Sequence, residues 1–325
     1  MHSRIEASLL LPLYAAALLS TAHPVLAQSY PAKSVRVIVP SAPGGSVDTL
    51  GRLIAQKLSA SLGQPFVVEN RSGSGGVVGT EVVAKAAPDG YTLLMAYHSH
   101  IINPSLYPKL PYDTIKSFSP ITQVAVQPQM FNVHPTLPAK SAKELIALAK
   151  ARPGQLLFGS AGSGSGGHLA NEIFNSIAGI KMTHVPYKGS APALIDVIAG
   201  NTQLMVATLI TSLPFVRSGR LRALGVSSVK RSPVLPDVPT IAETLPGYEC
   251  VVSYFLLAPA GTPDDVIAKL HAESAKALKQ PDVVERLARD GADPVGNTPQ
   301  ETSRYITAEI EKWGKAVRAS GARAD

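Results

Sequence analysis

The sequence is short of several features that would point to particular chemistry. It has one cysteine, Cys250, among 325 residues. A single thiol closes no internal disulfide. Its place between Glu249 and the apolar pair Val251–Val252 reads as a buried structural group, not a nucleophile. Stability must then come from packing, and an apolar fraction of 45% is ample for that. The formal charge of +7 is spread out, with no lysine or arginine run and no stripe of alternating basic and aromatic residues. No nucleic-acid partner is therefore expected. A dispersed positive charge suits the long-range attraction of small anions. No repeat of solenoid length is visible. His98-Ser99-His100 has no cysteine or nearby acid to complete a ligand set, so no metal is expected.

Long apolar runs are also missing, except near the start. Arg4 provides a short positive region, Leu9 to Leu19 ("LLLPLYAAALL") an apolar one, and Val25-Leu26-Ala27 puts small residues at both recognition positions. The apolar run is shorter than the roughly 20 residues that span a bilayer. Residues 1–27 thus read as a secretory signal peptide cut after Ala27, giving an exported, soluble chain.

What is present is an alternation of strand and helix. Val35–Val39 is a β-rich run that ends in "PSAPGGSVD". A helix follows with apolar positions at Val47, Leu50, Ile54 and Leu58, stopped by Gly63. Strands are predicted over 66–69, 92–96 and 121–126, and a helix over 77–87. Ser141 and Glu144 have the spacing of a capping box for a helix to Ala151. A second set follows: strand 156–158, a glycine loop, a helix ending near Gly179, strand 182–185, helix 191–199, and strands 204–207, 221–226 and 251–257. Thr262-Pro263 with Asp265, and Asn297/Thr298 with Pro299 and Glu301, open two closing helices. The order implies α/β architecture with largely parallel sheets covered by helices. "VIVPSAPGGSVDTLGRLIA" (37–55) and "LLFGSAGSGSGGHLANEIF" (156–174) share one order: strand, Ser-Ala, glycine loop, helix. We read them as corresponding loops of two similar lobes.

A loop between a strand end and a helix start presents unpaired N–H groups and the positive end of the helix dipole. Four chemistries compete for it. Gly162-x-Gly164-x-x-Gly167 matches a dinucleotide fingerprint, but the acid expected about 20 residues on is replaced by Tyr187-Lys188. No Gly-Lys-Ser/Thr follows any glycine cluster, which argues against a P-loop. Ser163 fails the G-x-S-x-G elbow at Ala161 and Ser165 fails it at Ser163, which weakens a hydrolase. The fourth is a neutral loop that holds a small carboxylate by backbone amides and serine hydroxyls. Tyr97, His98 and Ser99 follow a strand and are candidate pocket walls. Asp48 is a candidate cap, His168 a candidate orienting group, and Tyr254 a candidate cleft residue between the lobes.

Seven motifs, spread in order over the chain, carry a resemblance: "YPAKSVRVIVPSAPGGSVD" (30–48), "VENRSGSGGVVGTEVVAKAAPDGYTLL" (68–94), "NPSLYPKLPYDTIKSFSPIT" (103–122), "YKGSAPALIDVIAG" (187–200), "SGRLRALGVSS" (218–228), "LPDVPTIAE" (235–243) and "APAGTP" (258–263). The chain resembles the Bug-type periplasmic substrate-binding proteins of tripartite tricarboxylate transporters. The resemblance implies a two-lobed, Venus-flytrap (type II) binding protein with mainly parallel sheets and a two-strand hinge. Lobe 1 would comprise 28–126 and 252–325, and lobe 2 127–251. It implies no catalysis and no cofactor. A small carboxylate would lie between the lobes, and membrane permease subunits or a sensor kinase would read the closed form of a monomeric receptor. Its first contact loop corresponds to Ser41, Ala42, Pro43, Gly44, Gly45, Ser46 and Asp48. Its second corresponds to Ser160, Ala161, Gly162, Ser163, Gly164, Ser165 and His168. Two family acids are replaced in "GNTQLMVAT" (200–208), by Gln203 and Ala207, with Thr208 next to the second. That strand end is expected to face the cleft, so a plain carboxylate fits better than an amino acid.

Overall fold

A computed structural model of the chain describes residues 30–320. The signal-peptide reading of 1–27 falls outside them. The strands are β1 (Val35–Val39), β2 (Phe66–Asn70), β3 (Thr92–Tyr97), β4 (Phe118–Val133), β5 (Leu157–Ser160), β6 (Thr183–Pro186), β7 (Leu204–Thr208), β8 (Arg222–Val226), β9 (Val251–Pro259) and β10 (Asp293–Pro294). The helices are α1 (Ser46–Leu62), α2 (Val77–Ala84), α3 (Ser99–Leu106), α4 (Ala142–Ala151), α5 (Gly166–Ala178), α6 (Ser190–Ile198), α7 (Leu209–Arg217), α8 (Asp264–Leu278), α9 (Pro281–Arg289) and α10 (Pro299–Ser320).

The strands follow one path, β2-β1-β3-β9-β4-β7-β5-β6, with β8 and β10 also paired to β4. β4 belongs to both halves of that path. It pairs with β9 from Phe118 to Pro128, and with β7 from Gln129 to Val133. Each half carries its own helices, so the molecule is a two-lobed binding-protein fold strung on β4 and β9. The expected parallel pairing holds at the flanks, where β1 pairs with β2 and β3, and β5 with β6 and β7. Around the crossing strands the pairing is antiparallel. The sheets are therefore mixed, because β4 and β9 run in opposite directions between the lobes.

The parallel strands set where loops go. β1, β2 and β3 end at one edge of their half, and β5, β6 and β7 at the facing edge of theirs. Loops at such carboxyl ends are where open α/β sheets bind ligands. Val37 and Val39 on β1 pack on α1 through Leu50, Ile54 and Leu58, all essentially buried. Phe131, Phe158 and Phe174 fill the corresponding space in the second half. Trp313 of α10 is 3% exposed and lies in the same apolar cluster as Leu106 of α3 and Leu169 of α5, so the last helix touches both lobes. Cys250 is buried, and burial pushes its thiol up to about 12.

Candidate ligand-binding site

The first glycine loop leaves β1 at Pro40 and is held from below by Asp48. The Asp48 carboxylate accepts from Gly44 N–H (2.9 Å), Arg52 Nε (3.1 Å) and Asn70 Nδ2 (3.0 Å). Asn70 Nδ2 also donates to Ser41 O (3.0 Å). Burial pushes the Asp48 carboxyl up, but the hydrogen bonds from Arg52, Gly44 and Asn70 outweigh it and hold it below the usual range. Asp48 thus shapes the loop. Pro43 and Gly44 are exposed at its tip, while Ser41, Gly45 and Ser46 are buried.

The second glycine loop is held by histidines. His168 Nδ1 accepts from Gly164 N–H (3.1 Å), and its ring stacks on His184 at 3.9 Å. Burial first, and the neighbouring His184 second, lower the His168 pKa to about 3, so the ring is neutral and able to accept. Ser160 Oγ lies 2.6 Å from His184 Nε2 and 3.1 Å from the Gly162 backbone. Ser165 Oγ caps α5 by accepting from His168 N–H (3.4 Å). Gly164 needs its φ of +78°, and a Cβ there would meet Leu106 at 2.4 Å.

The two loops do not meet tip to tip. The first faces the β6–α6 turn of the other lobe, with Ala42 N–H donating to Lys188 O (3.2 Å). A Cβ on Gly189 would sit 2.9 Å from Ala42 Cβ. The second faces the loop after β2: Gly75 Cα lies 3.6 Å from the Cβ position of Gly162. Where the pairs converge, a cavity of about 30 Å³ is lined by Ser46, Tyr97, Ala161, Ser165 to Gly167, Ser190, Ala207 and Thr208. A neighbouring cavity of about 200 Å³ is lined by Gly73 to Gly76, Tyr107, Ala161 to Ser163 and Pro186 to Lys188.

The smaller cavity meets the amino ends of four helices. Ser46, Gly166 and Ser190 are the first residues of α1, α5 and α6, and Thr208 is the N-cap of α7. Three of these helices, α1, α6 and α7, have no side-chain cap hydrogen bond. Only α5 is capped, by Ser165. Gln129 of β4 adds to it, its amide placed to donate to Gly166 O (3.0 Å) and accept from Gly167 N–H (2.9 Å). No lysine or arginine lines this cavity among the described residues. A third cavity of about 270 Å³, between α1, α7 and α9, does carry Arg52 and Arg286. Each already pairs with a carboxylate, Asp48 and Asp290 respectively.

The expected walls are only partly in place. Tyr97 lines the small cavity, and Ser99 Oγ lies 3.3 Å from the Cβ position of Gly76 behind it. His98 turns away: it is fully buried and packs edge-on against Trp313 at 4.6 Å. Its apolar surroundings, with Lys312 nearby, lower its pKa to about 3. Ala207 and Thr208 line the cavity, whereas Gln203 caps β5 from the far end by accepting from Leu157 N–H (2.8 Å). Tyr254 of β9 donates to Gln127 Oε1 (3.2 Å), and its hydroxyl lies near those of Ser46 and Thr208, one from each lobe. Two contact segments were not singled out from the sequence as site residues, Gly73 to Gly76 and Lys188 to Ser190. The glycine cluster at 73–76 was the available signal for the first, including Ser74 with φ +47°. Among the described residues no three His, Cys, Asp or Glu side chains cluster as metal ligands.

Comparison with known proteins shows the family and the fold. The family profile of the tripartite tricarboxylate transporter family receptor matches residues 50–322. Protein BugT of Bordetella pertussis is 42% identical over 307 residues, 93% of this chain and 94% of that one. Among solved structures, R. palustris Rpa4515 with adipate is 38% identical with a TM-score of 0.89, covering 91% of this chain and 100% of that one. MatC of Rhodopseudomonas palustris with bound malate is 34% identical with a TM-score of 0.85, covering 89% and 100%. The periplasmic binding protein BugD superposes with a TM-score of 0.88 at 32% identity, covering 91% and 100%. The chain therefore belongs to the Bug-type receptors of the tripartite tricarboxylate transporter family, which are solute-binding proteins.

Proposed function

We propose that this protein is an exported receptor for a small carboxylate, held between the lobes and delivered to the permease of a tripartite transporter or to a sensor kinase. One observation carries the reading: four helix amino ends meet at one cavity that contains no cationic side chain. Backbone N–H groups and helix dipoles at such ends favour a carboxylate without a salt bridge. Tyr107 and Lys188 border the adjoining cavity and give a second polar group somewhere to reach. The adipate and malate of the two relatives are acids of the expected kind. Ala207 offers no carboxylate to an ammonium group, which favours a plain acid over an amino acid.

The lobes divide, in this reading, as 28–126 with 252–325, and 127–251. The switch of β4 pairing at Pro128/Gln129 supports that boundary. A signal peptide cut after Ala27 would deliver the chain to the periplasm as a monomer. Ligand contacts to both lobes would favour the closed arrangement.

The receptor is non-catalytic in this account. A hydrolase needs a base within reach of an accessible serine. His168 Nδ1 is engaged by Gly164 N–H, and Ser160, which does face a histidine, is fully buried and tied to Gly162. A thermal-shift screen of the full chain over small mono- and dicarboxylates tests the reading, because a ligand of the folded state raises its stability by mass action. The expected result is a rise with a subset of acids and none with NAD. A shift with NAD alone would contradict it.

A further inference from the structure

The charges of the two lobes are arranged differently. Nine of the ten ion pairs among the described residues join groups in the first lobe's segments, and one, Arg231–Glu243, lies in the second. Eight of the eleven lysines and arginines in 127–251 gather at one place. β4 ends at Val133 where β7 and β8 begin, and β5 and β6 start at the same edge. This edge is the pole opposite the cleft.

Helix α4 lies across that pole. At one end Arg222 Nη1 donates to Leu137 O and Ala139 O (both 3.2 Å), tying the start of β8 to the chain just before α4. At the other end Gly154 N–H donates to Lys181 O (2.9 Å), just before β6. Lys143 and Lys150 are seven residues apart on α4, on one exposed face. Exposed Lys140 and Arg152 flank the helix, and exposed Lys181 adjoins its far end. Arg217 and Arg220 close the α7–β8 turn beside Arg222. The segments 134–155, 179–183, 199–203 and 215–222 hold one carboxylate, Glu144, which accepts from Lys140 N–H (2.6 Å). None of the exposed cations at the pole makes an ion pair among the described residues.

We propose that this pole of the second lobe is an electrostatic docking face for an anionic phospholipid surface. Charge complementarity names the occupant. The cations are spread over three separate segments and end in flexible stems, which suits a diffuse layer of lipid phosphates. A protein partner would be expected to seat a central aromatic anchor. No aromatic ring is exposed here among the described residues: Phe215 is half-buried beneath Arg220, whose guanidinium lies 5.4 Å from its ring. Attachment by this pole leaves the cleft, at the other end of the strands, facing away from the bilayer. It would also confine a solute receptor near any membrane permease. That benefit rests on the receptor reading; the lipid contact itself does not.

The test is co-sedimentation of the full chain with vesicles of phosphatidylcholine alone and with phosphatidylglycerol added, at low and high salt. The expected result is binding to the anionic vesicles at low salt, lost at high salt. The variant K143Q/K181Q/R217Q/R220Q should bind at least tenfold more weakly, since each cation near such a surface contributes about fivefold. The variant K109Q/K116Q/K279Q/R304Q removes the same charge from the first lobe and should bind within about threefold of the parent. Unchanged melting temperatures and acid-induced thermal shifts in both variants separate this outcome from misfolding and from failure of the receptor reading. No binding to anionic vesicles, or equal loss in the two variants, would overturn the proposal. So would binding only to neutral vesicles that carry a permease, which would assign the face to a protein.

Discussion

Replacing Gly75 by alanine should prop the lobes apart. Gly75 lies on the loop after β2, and an added Cβ would come 2.2 Å from Ser163 O across the cleft. Ordinary contacts begin at 3.4 Å, so the seam must part by more than an ångström there. The obstacle is backbone on the far side and cannot swing away. Overpacking of this kind costs about 1–3 kcal/mol, and the cost falls on the closed form alone. Affinity for a ligand that needs closure should drop about 5- to 150-fold. A second cost arises because φ is +59° at Gly75, a region where alanine is disfavoured by about 1–2 kcal/mol. That strain acts on open and closed forms alike. Gly63→Ala isolates it, since Gly63 has φ +68° and nothing within 4 Å of its Cβ position. Calorimetric titration with the best acid from the screen reads the affinity, and small-angle scattering at saturation reads the shape. G75A should bind more weakly than G63A and scatter as a more open particle. Equal affinity in the two variants would refute closure across this seam.

Other outcomes follow from the same contacts. Asp48→Asn should destabilise the chain by about 1–2 kcal/mol at pH 7, a figure discounted because Arg52 is half exposed. The Asp48 pKa is lowered on folding, so its contribution is full above the unfolded value near 4 and disappears as pH falls through the folded one. The deficit should shrink accordingly in urea unfolding at acid pH. His98, His100 and His168 are held neutral by burial, with values of about 3, 4 and 3. Their unfolded forms protonate near 6.5, so stability should fall between pH 7 and pH 5 with uptake of up to three protons on unfolding. No change with pH over that range would contradict their burial. Trp313→Ala should cost about 3–5 kcal/mol in chemical denaturation, because the ring is buried and its Nε1 donates to Glu309 (2.7 Å). Tyr254→Phe should weaken acid binding more than it lowers stability, because its hydroxyl lies beside Ser46 and Thr208, which line the small cavity from the two lobes.

Much of the fold was legible because local signals and global arrangement agree. The helix that stops at Gly63 does so in the left-handed conformation (φ 68°), and Ser141 caps α4 as its spacing suggested. The predicted Thr298/Glu301 start of α10 is a reciprocal cap, with Thr298 N–H to Glu301 at 2.9 Å and Glu301 N–H to Thr298 at 3.2 Å. Proline concealed other elements. Pro104 and Pro214 lie inside α3 and α7, and Pro120 and Pro128 bracket the predicted strand 121–126 and hid the full 16-residue length of β4. α9, opened by Pro281, also went unread. At the site, the glycine loops could be recognised from their own residues. What faces them could not, because the opposition of Ala42 to Lys188 and of Gly75 to Gly162 depends on how the lobes meet. His98 shows the converse: its position after a strand suggested a pocket wall, but the first turn of α3 directs its ring to Trp313.

The most direct test of the central claim compares one acid with its neutral copy. The full chain is titrated calorimetrically with the carboxylate that gives the largest thermal shift, and with the corresponding primary amide. Helix amino ends and backbone N–H donors reward the negative charge, so the acid should bind and the amide should bind at least tenfold more weakly. Equal binding of acid and amide would contradict a carboxylate site at the helix ends.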